Sequence, residues 1–289
     1  MISAALVSGV GLGSMYGLLA LGFYVTYAVS GTVNFAQGSS LTLGAVTAFG
    51  LVHGLGWPMA AALLPMLAVC ATYGALVEVL AVRPFVKRGS DAWLMATVAL
   101  GIVLDNLVLF TFGKEPRSLP SSLATTTFEI AALRVSALQL LIPLVGVTLA
   151  VALHLVARRT RWGTAMLAVV QNRDAARLMG IPAGRVVMIA FALSSMFAGI
   201  AGVLIAPLYN IHSDMGTLFG LKAFAVAILG GIANARGVML AGLIFGVVEA
   251  LVTALLGSGY TQIITFALVI AALAWRPDGL FGRARVHKV

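Results

Sequence analysis

The residues of this chain best able to do chemistry are acids set in apolar sequence. Asp105, followed by Asn106, falls about two thirds along one apolar run, and Glu249 sits inside another. Glu78 lies a turn before the first charged loop. A carboxylate at the centre of a bilayer is costly, so such groups face a protein interior or a wet cavity. They then mark either a solute or proton path or an interhelical hydrogen bond. Glu78 is read as structural; Asp105 and Glu249 keep both readings and look like isolated acids. A second concentration of function-bearing residues is the stretch from Arg158 to Arg185, with six arginines against one acid, Asp174. A charged, helix-prone island between apolar runs is suited to meeting another protein.

Other chemistries lack their residues. The four histidines (His53, His154, His212, His287) have no helical pairing with each other and no Cys or carboxylate partners, so no metal site is expected. Neither a Gly-x-Ser-x-Gly elbow nor a His-Glu-x-x-His pair occurs. No Lys-Ser or Lys-Thr ends a Gly-rich phosphate loop, so any ATP-driven step needs a separate subunit. The sequence assigns no catalytic residue and no cofactor. The lone cysteine, Cys70, sits in an apolar run and reads as a small core residue.

Composition names the solvent. Hydrophobic residues make up 61% of the 289 positions and charged residues 9%, against roughly 45–50% and 25% in soluble domains. The net charge of +9 is gathered in short loops and the tail, not in a stripe interleaved with aromatics. That distribution fits a positive-inside membrane protein and argues against nucleic-acid binding. The N-terminus has no Lys or Arg before its first apolar run, which outlasts a signal-peptide core, so no cleaved signal is expected.

Turn signals divide the chain into apolar runs at about 3–29, 39–55, 59–82, 92–112, 135–157, 186–208, 218–233, 238–256 and 260–275. Loop Lys/Arg counts of three in 83–91, six in 158–185 and four in the tail place those segments in the cytoplasm. The fold is then an all-α polytopic membrane protein, a single domain over 1–289, with about nine crossings (eight to ten). Its N-terminus lies outside and its C-terminus in the cytoplasm. The runs 39–55 and 218–233 are short for a crossing of about 20 residues, so either can be re-entrant. The junction Gly31 to Gly38 must be buried in protein or line a cavity, because irregular backbone is not tolerated against lipid. Gly31-x-x-Asn34 before Gly38 is echoed by Gly231-x-x-Asn234 before Gly237, the placing of glycine breaks that transporters use near mid-membrane. Gly9, Gly13 and Gly17, and likewise Gly242 and Gly246, line one face at four-residue spacing and suit close helix packing.

Within the island, Trp162-Gly163 ends the incoming helix and Thr164 caps a run through Val170. Asn172 caps a second run over Arg173 to Met179, Gly180 stops it in the left-handed region, and Pro182 prevents continuation. Leu178 and Met179 are apolar knobs on this charged helix. Asp174-Ala-Ala-(three)-Gly180 resembles the Glu-Ala-Ala-(three)-Gly signature of ABC importer permeases, with Asp for Glu and without the following Ile-x-Leu-Pro. More specifically, the chain resembles the branched-chain amino-acid (Liv-type) ABC permeases. The resemblance rests on Gly17-Leu-Leu-Ala-Leu-Gly22, Asn34-Phe-Ala-Gln-Gly38, Arg83-Pro84, Gln171-Asn-Arg-Asp-Ala-Ala-Arg-Leu-Met-Gly-Ile181, Ala227-Ile-Leu-Gly-Gly231 and Arg276-Pro-x-Gly-Leu-Phe-Gly282.

That resemblance implies a type II-like importer permease in a bacterial inner membrane. Its partners would be a second, similar permease (a heterodimer), two cytoplasmic ABC ATPases that bind the ATP, and a periplasmic solute-binding protein. Arg173, Asp174, Ala175, Ala176, Arg177, Met179 and Gly180 correspond to the ATPase-coupling helix within the 158–185 loop. Asn34, Phe35 and Gln37 become candidates for the translocation path beside Asp105, Asn106 and Glu249. The solute is a branched-chain amino acid or a related small solute. An ABC permease for amides, urea or another small acid, and a proton-coupled carrier acting alone, are the alternatives.

Overall fold

The computed structural model describes residues 2–130 and 133–282. Thirteen helices follow in order: α1 (Ile2–Ser30), α2 (Gln37–Phe49), α3 (Met59–Leu76), α4 (Arg83–Lys87), α5 (Trp93–Phe112), α6 (Ser122–Thr125), α7 (Ala137–Arg159), α8 (Arg161–Gln171), α9 (Arg173–Leu178), α10 (Ala183–Ile205), α11 (Met215–Leu229), α12 (Ala235–Leu256) and α13 (Ser258–Trp275). Seven helical stretches are long and apolar enough to cross a membrane: α1, Met59–Lys87, α5, α7, α10, α12 and α13. The two runs judged short in the sequence are short here. Helix α2 has 13 residues, extended by a π-helical turn over Gly50–Gly54, and α11 has 15.

Two details depart from the sequence expectation. The polar segment after α5 contains an antiparallel hairpin, β1 (Thr127–Ile130) with β2 (Leu133–Ser136), whose two short alternating segments, TFEI and LRVS, an all-α reading passes over. And the helix does not stop at residue 82, where the apolar run ends and Pro84 soon follows, but continues to Lys87. A π-helical stretch over Val77–Val82 hands α3 on to α4, where Pro84 occupies the first turn. A first-turn amide has no intrahelical acceptor, so proline costs nothing there.

The chain forms two compact units. The first comprises Met1–Tyr24, Ser122–Ala150 and Lys222–Val289. Its seam is the antiparallel contact of α1 with α12. A Cβ on Gly13 would stand 2.6 Å from the carbonyl oxygen of Gly242, and one on Gly9 would stand 2.7 Å from Cα of Val247. The glycine faces read from the sequence thus meet each other, backbone against backbone. Tyr16 and Phe245 close the seam edge to face, their centroids 5.5 Å apart. Helix α7 joins through Gln139, whose Nε2 donates to Ser8 Oγ at 3.2 Å. Past α13 the chain returns to the end of α11, where the Leu280 amide donates to the Leu229 carbonyl at 2.7 Å.

The second unit comprises Val25–Ser121 and Val151–Leu221. Its axis is α10, whose apolar stretch is the most buried of the seven, at 67%. Helices α2 and α3 pack on it through small residues. Gly44 lies against Gly199, while a Cβ on Gly74 would stand 2.6 Å from Ser195 Oγ. Ala48, Met66, Cys70 and Val203 form the adjoining apolar cluster, so Cys70 is the core residue its surroundings suggested. Arg117 lies over the Phe112 ring at 4.7 Å, and its backbone pairs with Ile211.

Candidate functional site

Three constellations carry the polar chemistry of the described residues, and each lies within one unit. The first is the α1–α2 junction. Gly31, at φ +71°, turns the chain out of α1. Residues 32–36 then run irregularly until α2 begins, and Asn34 and Gln37 are both fully buried. Gln37 Nε2 donates to the Ser194 carbonyl at 2.9 Å, and Ser194 Oγ donates to Gln37 Oε1 at 2.7 Å. Asn34 Oδ1 accepts from the Ala36 amide at 3.1 Å, and Ser40 Oγ donates to Ser195 Oγ at 3.1 Å. Ser194 lies eleven residues into α10, about 17 Å along its axis, which is near mid-depth in a hydrocarbon core of about 30 Å. The junction is therefore irregular backbone buried in protein, one of the two settings the sequence allowed. In this conformation Gln37 spends its hydrogen bonds locking the junction to α10, while those of Asn34 stay within the junction. Phe35 is half-buried beside them.

Asp105 belongs to the same unit. Its Oδ2 accepts from Thr217 Oγ1 at 3.4 Å, the Ser39 hydroxyl stands beside the carboxylate, and Oδ1 is buried with no partner at hydrogen-bond distance among the described residues. Asn106 points elsewhere: it is exposed, and its Nδ2 donates back to the Ile102 carbonyl at 2.8 Å. The Asp-Asn pair thus splits into one inward and one outward side chain.

Glu249 lies in the other unit and is not an isolated acid. Lys222 Nζ stands 2.5 Å from its Oε1, and both side chains are about nine-tenths buried. Lys222 also lies 5.9 Å from the Tyr16 ring centroid. The sequence reading overlooked Lys222, although a single lysine inside an apolar run was itself the signal.

The third constellation is the arginine island. The incoming helix α7 ends at Arg159, earlier than expected, and Trp162-Gly163 opens α8. The cap is Thr160, whose Oγ1 accepts from the Gly163 amide at 3.0 Å; Thr164 sits inside the helix. Gly163 lies on the backbone of Val156 and Ala157, so α8 can fold back tightly on α7. Asn172 caps α9 as expected, accepting from the amides of Asp174 and Ala175 at 3.1 and 3.0 Å. Gly180 takes φ +80°, and the Ile181 amide closes on the Ala176 carbonyl at 3.0 Å. Ala176 is buried, which seats α9, while Leu178 and Met179 are 89% and 82% exposed. Asp174 pairs only loosely with Arg177, at 3.3 Å. Arg173 reaches inward, and burial, then the neighbouring Arg177, lowers the pKa of its guanidinium from the usual arginine value. It nevertheless stays charged.

A polytopic helical body, an irregular junction buried at mid-depth and a short capped helix with two bare apolar side chains define a transport permease. The chain belongs to the family described as "Branched-chain amino acid transport system / permease component", which matches residues 5–273. It is 33% identical to the high-affinity branched-chain amino acid transport system permease protein LivH of Escherichia coli K12, over 98% of this chain and 96% of the relative. It is 31% identical to the corresponding permease BraD of Pseudomonas aeruginosa, over 98% and 97%. A more distant similarity, 30% over 92% of this chain and 72% of the relative, is to the autoinducer 2 import system permease LsrC of an Enterobacter species. In fold it is similar to PsaBC from Streptococcus pneumoniae, solved in complex with Fab, with a TM-score of 0.50 at 11% identity over 94% and 90% of the two chains.

Proposed function

We propose that this chain is the membrane permease of an ABC importer that takes up branched-chain amino acids. The observation that carries the coupling role is α9. It is a helix of 6 residues fixed by Asn172 at one end and Gly180 at the other, offering Leu178 and Met179 to solvent. Such a helix suits the groove of a soluble ATPase, because apolar anchors gain from burial what a solvated charged face cannot. Two ATPases, a second similar permease and a periplasmic binding protein complete the assembly in the inner membrane.

Adding α2 with its π-turn and α11 to the seven long helices makes nine passes in a type II-like body. The N-terminus is then outside, and the arginine island and tail are cytoplasmic. Parallel packing of α2 with α10 and antiparallel packing of α3 on α10 agree with that order of crossings. On the solute path, Asp105 has the best support, since its buried Oδ1 has no partner at hydrogen-bond distance among the described residues. Asn34, Phe35 and Gln37 form the break in the helix at the same level, and Asn106 and Glu249 remain candidates.

The test is reconstitution with ATPases and binding protein. Leu178→Asp with Met179→Asp should abolish ATPase co-purification while the permease stays folded. Retained ATPase binding removes the coupling role, and uptake into vesicles lacking ATPases favours a proton-coupled carrier. The similarity to an autoinducer 2 permease supports one second reading, a different small polar solute. Ligand capture by the partner binding protein decides between them, as it does for amides or urea.

A further inference from the structure

We propose that the inner end of the second unit holds a binding site for a phosphate group, as carried by an anionic phospholipid head. A cavity of about 140 Å³ is lined there by four cations, Arg83, Lys87, Arg173 and Arg177, and one carboxylate, Glu78. Glu78 is already committed. It is 3% exposed and takes Arg83 in a bidentate pair, with contacts of 3.0 Å to Nε and 2.6 Å to Nη2. That leaves Lys87, Arg173 and Arg177 without a full charge partner, since Arg177 meets only the solvated Asp174. Arg173 Nε is buried with no hydrogen-bond partner among the described residues. A buried guanidinium N–H left open is costly, and three like charges around one cavity repel. An anion with several acceptor oxygens relieves both at once.

The geometry also says which kind of anion. Gly184 lines the cavity from the first turn of α10. The amides of Ala183, Arg185 and Val186 are already paired with the Ile181 and Pro182 carbonyls, which leaves that of Gly184, at a helix N-terminus where an anion is favoured, to face a phosphate. Val82, Val86 and Val187 form its apolar wall, at the ends of two membrane-spanning stretches. A polar head with an apolar attachment matches this two-sided lining. Leu178 and Met179, the exposed apolar side chains offered to an ATPase, do not line this cavity. The site therefore differs from the ATPase-facing knobs, and it holds whatever solute the permease moves.

The experiment titrates lipid onto the purified full-length permease in detergent and reads bound lipid by native mass spectrometry. Phosphatidylglycerol, phosphatidylcholine and inorganic phosphate are compared. Phosphatidylglycerol should bind in preference to phosphatidylcholine, and Lys87→Gln and Arg173→Gln should each weaken it roughly fivefold. Arg158→Gln, which removes the same charge outside the cavity, should leave it unchanged. If Arg173→Gln misfolds, Lys87→Gln, an exposed residue, carries the test alone. Displacement of the lipid by inorganic phosphate supports a common seat, and binding of inorganic phosphate alone supports the site with a soluble anion as its source. Equal binding of the two lipids, or unchanged affinity in Lys87→Gln, overturns the proposal. So does Lys87→Gln or Arg173→Gln protein that loses ATPase binding but keeps lipid, because those cations then serve the protein partner.

Discussion

Removing Lys222 alone should damage this protein far more than removing Lys222 and Glu249 together. Lys222 Nζ stands 2.5 Å from Glu249 Oε1, and the side chains are 10% and 9% exposed. With an effective dielectric of about 20, unit charges at that separation attract by roughly 7 kcal/mol. Stripping two ions of water costs several kcal/mol each, so the intact pair contributes close to nothing in net. A single deletion keeps one desolvation cost and loses the attraction. Glu249 cannot compensate, because its Oε2 has no partner among the described residues to begin with.

Lys222→Met and Glu249→Met should therefore each cost about 3–5 kcal/mol. The double variant Lys222→Met/Glu249→Met should return to within about 1 kcal/mol of the parent. Part of the remaining deficit is the contact of Lys222 with the Tyr16 ring, which contributes on the order of 0.5–1 kcal/mol. Unfolding in mixed micelles titrated with sodium dodecyl sulfate, run on all four proteins, gives the coupling energy directly. Single variants within about 1 kcal/mol of the parent, or a double variant equal to the sum of its singles, would refute the reasoning.

Other consequences follow from single contacts. Gly13→Val should destabilise by about 1–3 kcal/mol in the same unfolding assay, since its Cβ would press on the Gly242 carbonyl; Gly50→Ala, with nothing within 4 Å, should not. Gln37→Leu leaves the Ser194 hydroxyl and carbonyl without their partner and should cost about 1–3 kcal/mol, with uptake falling in parallel. Asn172→Ala removes the cap of α9 and about 1 kcal/mol. Amide exchange over 173–178 should then rise roughly fivefold, while α10 exchanges as before.

Much of the fold was legible because the membrane enforces simple rules. Apolar length set the positions of the long helices, and four-residue glycine spacing set the faces that meet in the α1–α12 seam. The misreadings share a cause, which is that local signals compete. Thr164 and Thr160 are both plausible caps, and only the close approach of Gly163 to Val156 and Ala157 selects the earlier turn. Pro84 is a stop signal in isolation, yet a preceding π-turn lets it serve as a start. The hairpin after α5 was missed although both segments alternate, Thr127-Phe-Glu-Ile130 and Leu133-Arg-Val-Ser136, because each run is only four residues long and their pairing is a property of the two together. Lys222 was missed for a different reason: acids were weighed singly, although a buried charge implies a partner somewhere in the sequence.

The echo between Gly31-x-x-Asn34 and Gly231-x-x-Asn234 proves to be a shared local device. Each glycine lies just past a helix end at positive φ, +71° and +78°. Each asparagine then turns its Oδ1 onto a following amide, that of Ala36 in one case and Gly237 in the other. Both turns reverse the chain within four residues while leaving few backbone groups unpaired, which is the requirement irregular backbone meets inside a membrane protein. They differ in what the spare amide nitrogen does. Asn234 Nδ2 holds the returning chain at the Phe281 carbonyl, 2.9 Å away, a structural fastening. Asn34 Nδ2 reaches only Gln37, at the limit of 3.5 Å, inside a cluster that also contains Ser194 and Ser40. A weakly held polar group at mid-depth can change partners at low cost, and a tightly held one cannot. The first turn, not the second, therefore has the properties required of a moving part.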